Sequence, residues 1–355
     1  MKSHFLKALL AGSICLSSHA FAETLWIQAA NNNLNLDSVN GTDYETIIVK
    51  DDSTIGKFVN DAPVVNFINV QANLTVNSDV IVNQVSLTQY KGNDSLTIKG
   101  DLTVNGALSV HPTNSVNVSG TTTLNGGTTV SQLTGSAKLT TDKLVINGHT
   151  KLIAGSGSSG SVVANEVEVN HTLTLISGSS IATSDETAGI MTVGEGGHVW
   201  QQGGTVELAT LVDGGAMTMY SGSFDSLELL DGELNIRGDI STGDLILDGG
   251  EVNFLGAYTL DLGGNDLILG DNVIITLSVA TLEDITGSYT LFKNLGSNST
   301  DTKNLMIELT DGTASKSVQA SYINGTFSVA AVPEPTTATL SLLALAGLAA
   351  RRRRK

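Results

Sequence analysis

Side chains able to carry out chemistry are sparse in this sequence. Beyond residue 22 the histidines are His111, His149, His171 and His198, and no two of them have the spacing of a helical metal site. The single cysteine, Cys15, lies in the apolar N-terminal segment, so a mature chain without that segment has no thiolate nucleophile or ligand. No nucleophile elbow or phosphate-binding glycine loop occurs. The sequence therefore predicts no catalytic residue, no metal and no cofactor.

Carboxylates are the remaining candidates, because enzymes that cleave polysaccharides use paired acidic side chains. Asp231, Asp248 and Glu251 fall at similar places in two related segments and would line up if those segments stacked. Aspartate before a turn glycine also has a structural explanation. Arg237 is the only arginine before residue 351, which leaves few partners for an acidic substrate. We expect a non-enzymatic protein, with a polysaccharide hydrolase or lyase as the alternative.

Two further patterns could bind ligands. The segment 263–267, Gly-Gly-Asn-Asp-Leu, resembles part of a calcium-binding nonapeptide, but it does not recur in tandem. Trp26 and Trp200 could stack on sugar rings, although we expect packing within the core or a cap. We expect no specific calcium site.

The charge of the chain excludes one class of partner. The formal net charge is −17, and it falls to about −23 when the basic residues of the two termini and Glu334 are set aside. A polyanion of this size repels nucleic acid. We therefore expect no nucleic-acid binding.

Residues 66–280 alternate between apolar and polar side chains, in short runs such as 102–104, 108–110 and 116–118, separated by Gly or Asn-Gly turns. The turns recur about every 20 residues, and a strand pair of this length buries its apolar face only against a neighbouring copy. The pattern predicts an all-β, right-handed parallel β-helix, with antiparallel β-sandwich domains as the alternative. We place an N-terminal cap at 23–65 and a C-terminal β cap at 281–330. The repeat is similar to the passenger regions of autotransporter-type surface proteins.

The first 22 residues have the features of a secretory signal peptide. Lys2 and Lys7 precede a short apolar stretch, and Ala20 and Ala22 form the small-x-small pattern of a cleavage site. We expect export through the Sec translocon.

The last 25 residues, 331–355, combine Pro333-Glu334-Pro335, an apolar stretch over 336–350 and the cations Arg351, Arg352, Arg353, Arg354 and Lys355. As a helix, the stretch would be about 22 Å long, against about 30 Å of hydrocarbon, so we expect transient membrane insertion oriented by the cations. Proline keeps the triplet extended and accessible.

This tail resembles the PEP-CTERM sorting signal, and its amino-acid sequence is similar to the tails of verrucomicrobial proteins such as those of Akkermansia. The resemblance implies recognition of Pro333, Glu334 and Pro335 by an exosortase, a membrane transpeptidase, followed by release or transfer to the cell surface. It says nothing about the body of the chain. The two ends together predict a cell-surface or matrix protein of structural or adhesin type. A carbohydrate-binding module is an alternative, and extracellular polysaccharide is an expected partner.

Overall fold

The computed structural model describes residues 24–28, 34–39, 44–58, 64–88, 93–126, 131–153, 160–184, 189–282 and 287–329. These residues form strands, turns and bends, and none of them is helical. Accordingly, this part of the chain contains no helix of the length and apolarity needed to cross a bilayer. The predicted signal peptide and the predicted C-terminal hydrophobic helix lie outside the described residues.

The described residues contain 32 β-strands. In chain order they are β1 Thr24–Ile27, β2 Leu34–Val39, β3 Thr46–Val49, β4 Ser53–Phe58, β5 Val64–Val70, β6 Leu74–Val76, β7 Val80–Leu87, β8 Ser95–Ile98, β9 Leu102–Val104, β10 Leu108–Val110, β11 Ser115–Val118, β12 Thr121–Leu124, β13 Ser131–Thr134, β14 Lys138–Thr140, β15 Lys143–Ile146, β16 Thr150–Ile153, β17 Ser161–Val163, β18 Glu166–Val169, β19 Thr172–Ile176, β20 Ser180–Ala182, β21 Ile190–Val193, β22 His198–Ile236, β23 Ile240–Leu247, β24 Glu251–Phe254, β25 Leu260–Asp261, β26 Leu267–Leu269, β27 Ile274–Ser278, β28 Gly287–Thr290, β29 Phe292–Lys293, β30 Thr302–Thr310, β31 Ser315–Ile323 and β32 Thr326–Val329.

From β7 to the start of β22 the strands form three faces, because each strand pairs in parallel with the third strand before it. Face one includes β10, β13, β16, β19 and the start of β22; face two includes β11, β14, β17 and β20; face three includes β12, β15, β18 and β21. The long β22 bends around corners and contributes to all three faces. The protein is thus a parallel β-solenoid of the right-handed type, with about ten turns. The solenoid prediction is confirmed, and the antiparallel sandwich alternative is wrong.

Alternation along each strand builds the core. Val104, Leu124, Ile146, Val169 and Val193 occupy the same register position in five successive turns, and all five are buried. Each stacks on its counterpart about 4.7–4.9 Å away, which is the spacing of neighbouring strands. One turn alone would leave such a residue exposed, so the turns stabilise each other. The parallel pairing already begins at β1, which pairs with β3.

A ladder of asparagines follows this core row at one corner. Asn125 donates its side-chain amide to Asn105 at 3.1 Å, Asn147 donates to Asn125 at 3.0 Å, and Asn170 donates to Asn147 at 3.0 Å. Each amide in the middle of the ladder is both donor and acceptor, and such stacks hold successive strands in register. We call these four residues the asparagine ladder.

The last turn is closed by antiparallel strands. β30 pairs with β27 in parallel but with β31 in antiparallel fashion, and β32 joins β31 to β28. Behind them Phe292 lies 5.9 Å from Phe254 and 6.3 Å from Phe327, measured between ring centroids. All three rings are almost completely buried. This arrangement covers the edge of the final turn, an edge that would otherwise accept strands of other chains.

Replacing a central rung of the asparagine ladder should destabilise the solenoid. In Asn147→Ala two side-chain hydrogen bonds are lost, at about 1 kcal/mol each. We expect a lower midpoint in urea-induced unfolding followed by circular dichroism. Asn117→Ala is the control, because Asn117 projects outward from β11. Equal midpoints for the two variants would contradict a stabilising role for the ladder.

Truncating the central ring of the cap should have a larger effect. Phe292→Ala removes a buried aromatic side chain, which costs about 3–5 kcal/mol. We expect a reduced unfolding free energy and self-association on size-exclusion chromatography, since the covered edge opens. Tyr289→Ala, at a half-buried position in the same cap, serves as control. A monomeric Phe292→Ala protein of normal stability would refute this account of the cap.

Candidate functional site

Many of the acidic side chains serve the corners of the solenoid. The Asp79 carboxylate accepts the backbone N–H of Asp101 at 2.9 Å, and Asp101 in turn accepts that of Thr121 at 2.7 Å. Asp244 accepts the N–H of Asp266 in the same way, at 2.9 Å. These bonds link one turn to the next, and a charged acceptor strengthens them. They account structurally for part of the acidity seen in the sequence.

The three carboxylates singled out by the sequence do not line up. Glu251 pairs with Glu233 across neighbouring strands, in a register of 18 residues, rather than with either aspartate. Asp231 accepts the backbone N–H of its neighbour Gly232 at 2.8 Å. Asp248 follows Leu247, whose partner in the preceding turn is Leu229. The possible alignment of these three carboxylates is therefore wrong, and the two carboxylates that pair are Glu233 and Glu251.

The glycine-rich segment 263–267 is also structural. Asp261 accepts the backbone N–H of Gly263 at 3.0 Å and the side-chain amide of Asn294 at 2.8 Å. These bonds, led by the one from Asn294, hold the pKa of Asp261 below its ordinary value. Asp266 accepts the backbone N–H of Asn298 at 3.1 Å. Nowhere in the described ranges do three His, Cys, Asp or Glu side chains come together as a metal site.

The histidines and tryptophans lie in different surroundings. His149 approaches the Thr174 hydroxyl at 3.4 Å, and His171 accepts the backbone N–H of Thr172 at 2.8 Å. Trp26 lies on the first turn, half-buried, with the Lys50 ammonium 4.4 Å from its ring centroid. Trp200 lies on the outer side of face one, so it is not a core residue.

An aromatic group occupies this part of face one. The rings of His198 and Trp200 are stacked, with centroids 4.6 Å apart and planes inclined by 10°. The Tyr220 ring lies 6.4 Å from Trp200 at 18°, and it is 38% exposed. The His198 imidazole also meets the Thr218 hydroxyl at 3.0 Å. Burial lowers the pKa of His198, and the nearby Glu233 carboxylate offsets part of this shift.

A polar network continues from the aromatic group toward the C-terminus. The two carboxylate oxygens of Glu233 accept the amides of Asn235 at 3.2 Å and Asn253 at 3.3 Å. Glu251 accepts the Thr276 hydroxyl at 3.2 Å. We call His198, Trp200, Tyr220, Glu233, Asn235, Glu251 and Asn253 the face-one patch.

A shallow groove of about 440 Å³ runs beside the patch. Its lining includes His198, Ala216, Glu233 and Glu251 together with corner glycines such as Gly215 and Gly232. A Cβ atom at Gly232 would collide with the Gly215 carbonyl oxygen, and Gly232 also has a φ of +101°, so only glycine fits this corner. The missing side chains create the groove.

A cleft of about 480 Å³ lies between residues 256–258, 277–281 and 288–291. Its walls are mostly backbone and aliphatic groups, with the tyrosines Tyr258 and Tyr289 as its titratable side chains. The smaller groove brings carboxylates, amides, an imidazole and aromatic rings together, so we regard it as the candidate site.

Comparison with known proteins concerns the C-terminal tail. Residues 331–355 match the PEP-CTERM protein-sorting motif. No curated protein and no solved structure matches the chain. The motif indicates an exported protein that an exosortase sorts to the cell envelope.

The remaining sequence-predicted site residues lie outside the described part of the structure. They are the cleavage residues Ala20 and Ala22, the triplet Pro333, Glu334 and Pro335, and the terminal cations from Arg351 to Lys355. Their individual roles, and the resemblances to verrucomicrobial tails and to autotransporter passengers, stay predictions.

Four residues of the patch were missed in the sequence: Tyr220, Glu233, Asn235 and Asn253. A signal for three of them exists, because the tetrapeptide Gly-Glu-Leu-Asn at 232–235 recurs as Gly-Glu-Val-Asn at 250–253. This short repeat has the register that the strands adopt.

Acidification should alter the stacked rings of the patch. Because burial disfavours the imidazolium, the stability contributed by neutral His198 is present above its ordinary pKa of about 6.5 and is lost as the pH falls through the lowered folded-state pKa. In a Trp26→Phe background, Trp200 is the one tryptophan, and we expect its fluorescence to change below pH 6.5. His198→Gln should abolish the transition. A midpoint at or above 6.5 would contradict the burial effect.

Proposed function

We propose that the protein is a cell-surface or extracellular-matrix component of structural or adhesin type, exported through the Sec translocon and processed by an exosortase. The observation that carries this proposal is the PEP-CTERM motif over 331–355, joined to a β-solenoid of about ten turns. At 4.7–4.9 Å per turn the solenoid is a rod of roughly 50 Å, with outward faces that project polar side chains. Such a rod presents surface without needing an enclosed cavity.

Three carboxyl groups of the rod are stabilised in their ionised form by local hydrogen bonds. In the described residues, the carboxyl groups with a shifted pKa, Asp261, Asp271 and Asp311, are all shifted downward. Their first causes are hydrogen bonds from Asn294, Lys303 and the backbone of Ala314, respectively.

One observation favours a polysaccharide-active enzyme as second candidate. Glu233 and Glu251 are paired neighbours on the same face and lie next to a groove. Glycoside hydrolases use a pair of carboxyl groups for catalysis. Release of reducing ends from polysaccharide by the wild-type protein, lost in Glu251→Gln, would establish this alternative.

Disrupting the sorting triplet should trap the protein in the membrane. In the triple variant Pro333→Ala, Glu334→Gln and Pro335→Ala, the exosortase loses its recognition element while the apolar stretch and the cations remain. We expect most of the chain in the membrane fraction with Lys355 still present, as measured by intact mass. The wild type should yield a surface or culture form that ends near residue 335.

The control substitution Thr337→Ser changes the tail outside the triplet and should leave processing intact. Full-length wild-type protein in every fraction would refute processing. Normal processing of the triple variant would refute recognition through the triplet.

A further inference from the structure

We propose that the face-one patch binds a neutral polysaccharide chain, which lies across successive turns of the solenoid. The inference rests on the proposed function, because it names the ligand class that a surface-displayed rod would hold. The argument depends on the shape of the groove, the aromatic surface, the fixed polar groups and the charge of the body.

The groove has a floor of small residues between two polar walls. Ala216 lies in the turn between His198 and Glu233, and its backbone N–H bonds to the Gly197 carbonyl at 2.9 Å. Neither alanine nor the corner glycines project far, whereas His198 and Glu233 stand on either side. A pyranose ring can therefore approach the backbone here more closely than at the turns around it.

Trp200 is stacked with both other rings of the aromatic group. Its stack with His198 covers one face, at a centroid distance of 4.6 Å. The Tyr220 ring is nearly parallel to the Trp200 ring at a centroid distance of 6.4 Å, and it is 38% exposed. An exposed aromatic ring of this kind suits the apolar C–H face of a sugar.

The carboxylates beside this surface are held in fixed orientations. The Glu233 carboxylate accepts hydrogen bonds from the side-chain amides of Asn235 and Asn253, and the Asn253 amide also donates to the Asn235 side-chain oxygen at 3.2 Å. An ionised carboxylate has about four acceptor sites, so Glu233 and Glu251 keep capacity for sugar hydroxyl donors. Preorganised acceptors of this kind reduce the entropy lost on binding.

Charge disfavours an anionic ligand. The patch contains two carboxylates, and the body carries about −23, which opposes uronate or sulfate polymers. Arg237 is the nearby cation, with its guanidinium carbon 6.0 Å from the Tyr220 ring. One cation beside two carboxylates does not reverse this preference. The glutamate and asparagine of the patch recur in two successive turns, as Glu233 with Asn235 and Glu251 with Asn253, so an extended chain of sugars fits better than a single one.

The test uses the mature protein as cells release it, with soluble neutral glucan and galactomannan as probes and polyuronate and chitosan as comparison polymers. Affinity electrophoresis and isothermal titration would measure binding. We expect binding to at least one neutral polymer. Trp200→Ala should weaken it about tenfold or more, and the double variant Glu233→Gln, Glu251→Gln should weaken it as well. Trp200→Phe, which keeps a ring, should retain more binding than Trp200→Ala.

Matched controls lie elsewhere on the rod. Trp26→Ala removes the other tryptophan, and Glu166→Gln with Glu168→Gln neutralises two carboxylates on face three. Both should bind like the wild type, and urea midpoints should show that every variant is folded. Absence of binding to the neutral polymers, undiminished binding by folded Trp200→Ala, or a preference for polyuronate or chitosan would overturn the proposal. A processed surface protein that fails to bind would overturn this inference alone, whereas an unprocessed tail would overturn the proposed function.

Discussion

The whole structure depends on one constraint: parallel stacking in register puts each side chain against its counterpart in the next turn, about 4.7–4.9 Å away. In the interior this is favourable, because aliphatic rows such as Leu124 on Val104 fill the core continuously. On the surface it is favourable for amides, which bond to one another along the asparagine ladder. It is also favourable for opposite charges, because Lys143 on face three stacks in register on Glu166 and binds both Glu166 at 2.8 Å and Glu168 at 2.5 Å. For like charges, such as Glu233 and Glu251, it is unfavourable.

The same constraint explains part of the acidic composition. A corner must turn without interrupting the stack, so backbone N–H groups at the corners need acceptors from a neighbouring turn. Asp79, Asp101 and Asp244 supply them. Some acidic residues that resemble a ligand-binding set in the sequence therefore hydrogen-bond one turn to the next. The remaining negative charge keeps the many-stranded rod soluble.

The fold was predictable because alternation and turn spacing are local signals. Runs such as 102–104 and 108–110 are strands β9 and β10, bounded as the pattern indicates. The patch was less predictable, because it depends on which residues stack. Asp231 and Asp248, which fall at similar places in the two related segments, are 17 residues apart, whereas the strands pair in a register of 18. A shift of one residue moves a side chain to the other side of a strand. Tyr220 has no sequence signal, since its meeting with Trp200 depends on the course of β22 around the corners.

The antiparallel closure at β30 to β32 gives the rod a polarity. The chain leaves the closed end at Val329, two residues before the match to the sorting motif begins. An attachment made near residue 335 would therefore place the closed end of the rod next to the envelope. The first turn would then lie outermost, roughly 50 Å from the closed end. Glu251 lies on β24, two strand pairings from β30, so a bound sugar chain would be held near the base of the rod. The molecule would then hold polymer close to the surface of its own cell, and it would not present polymer at the far end of the rod.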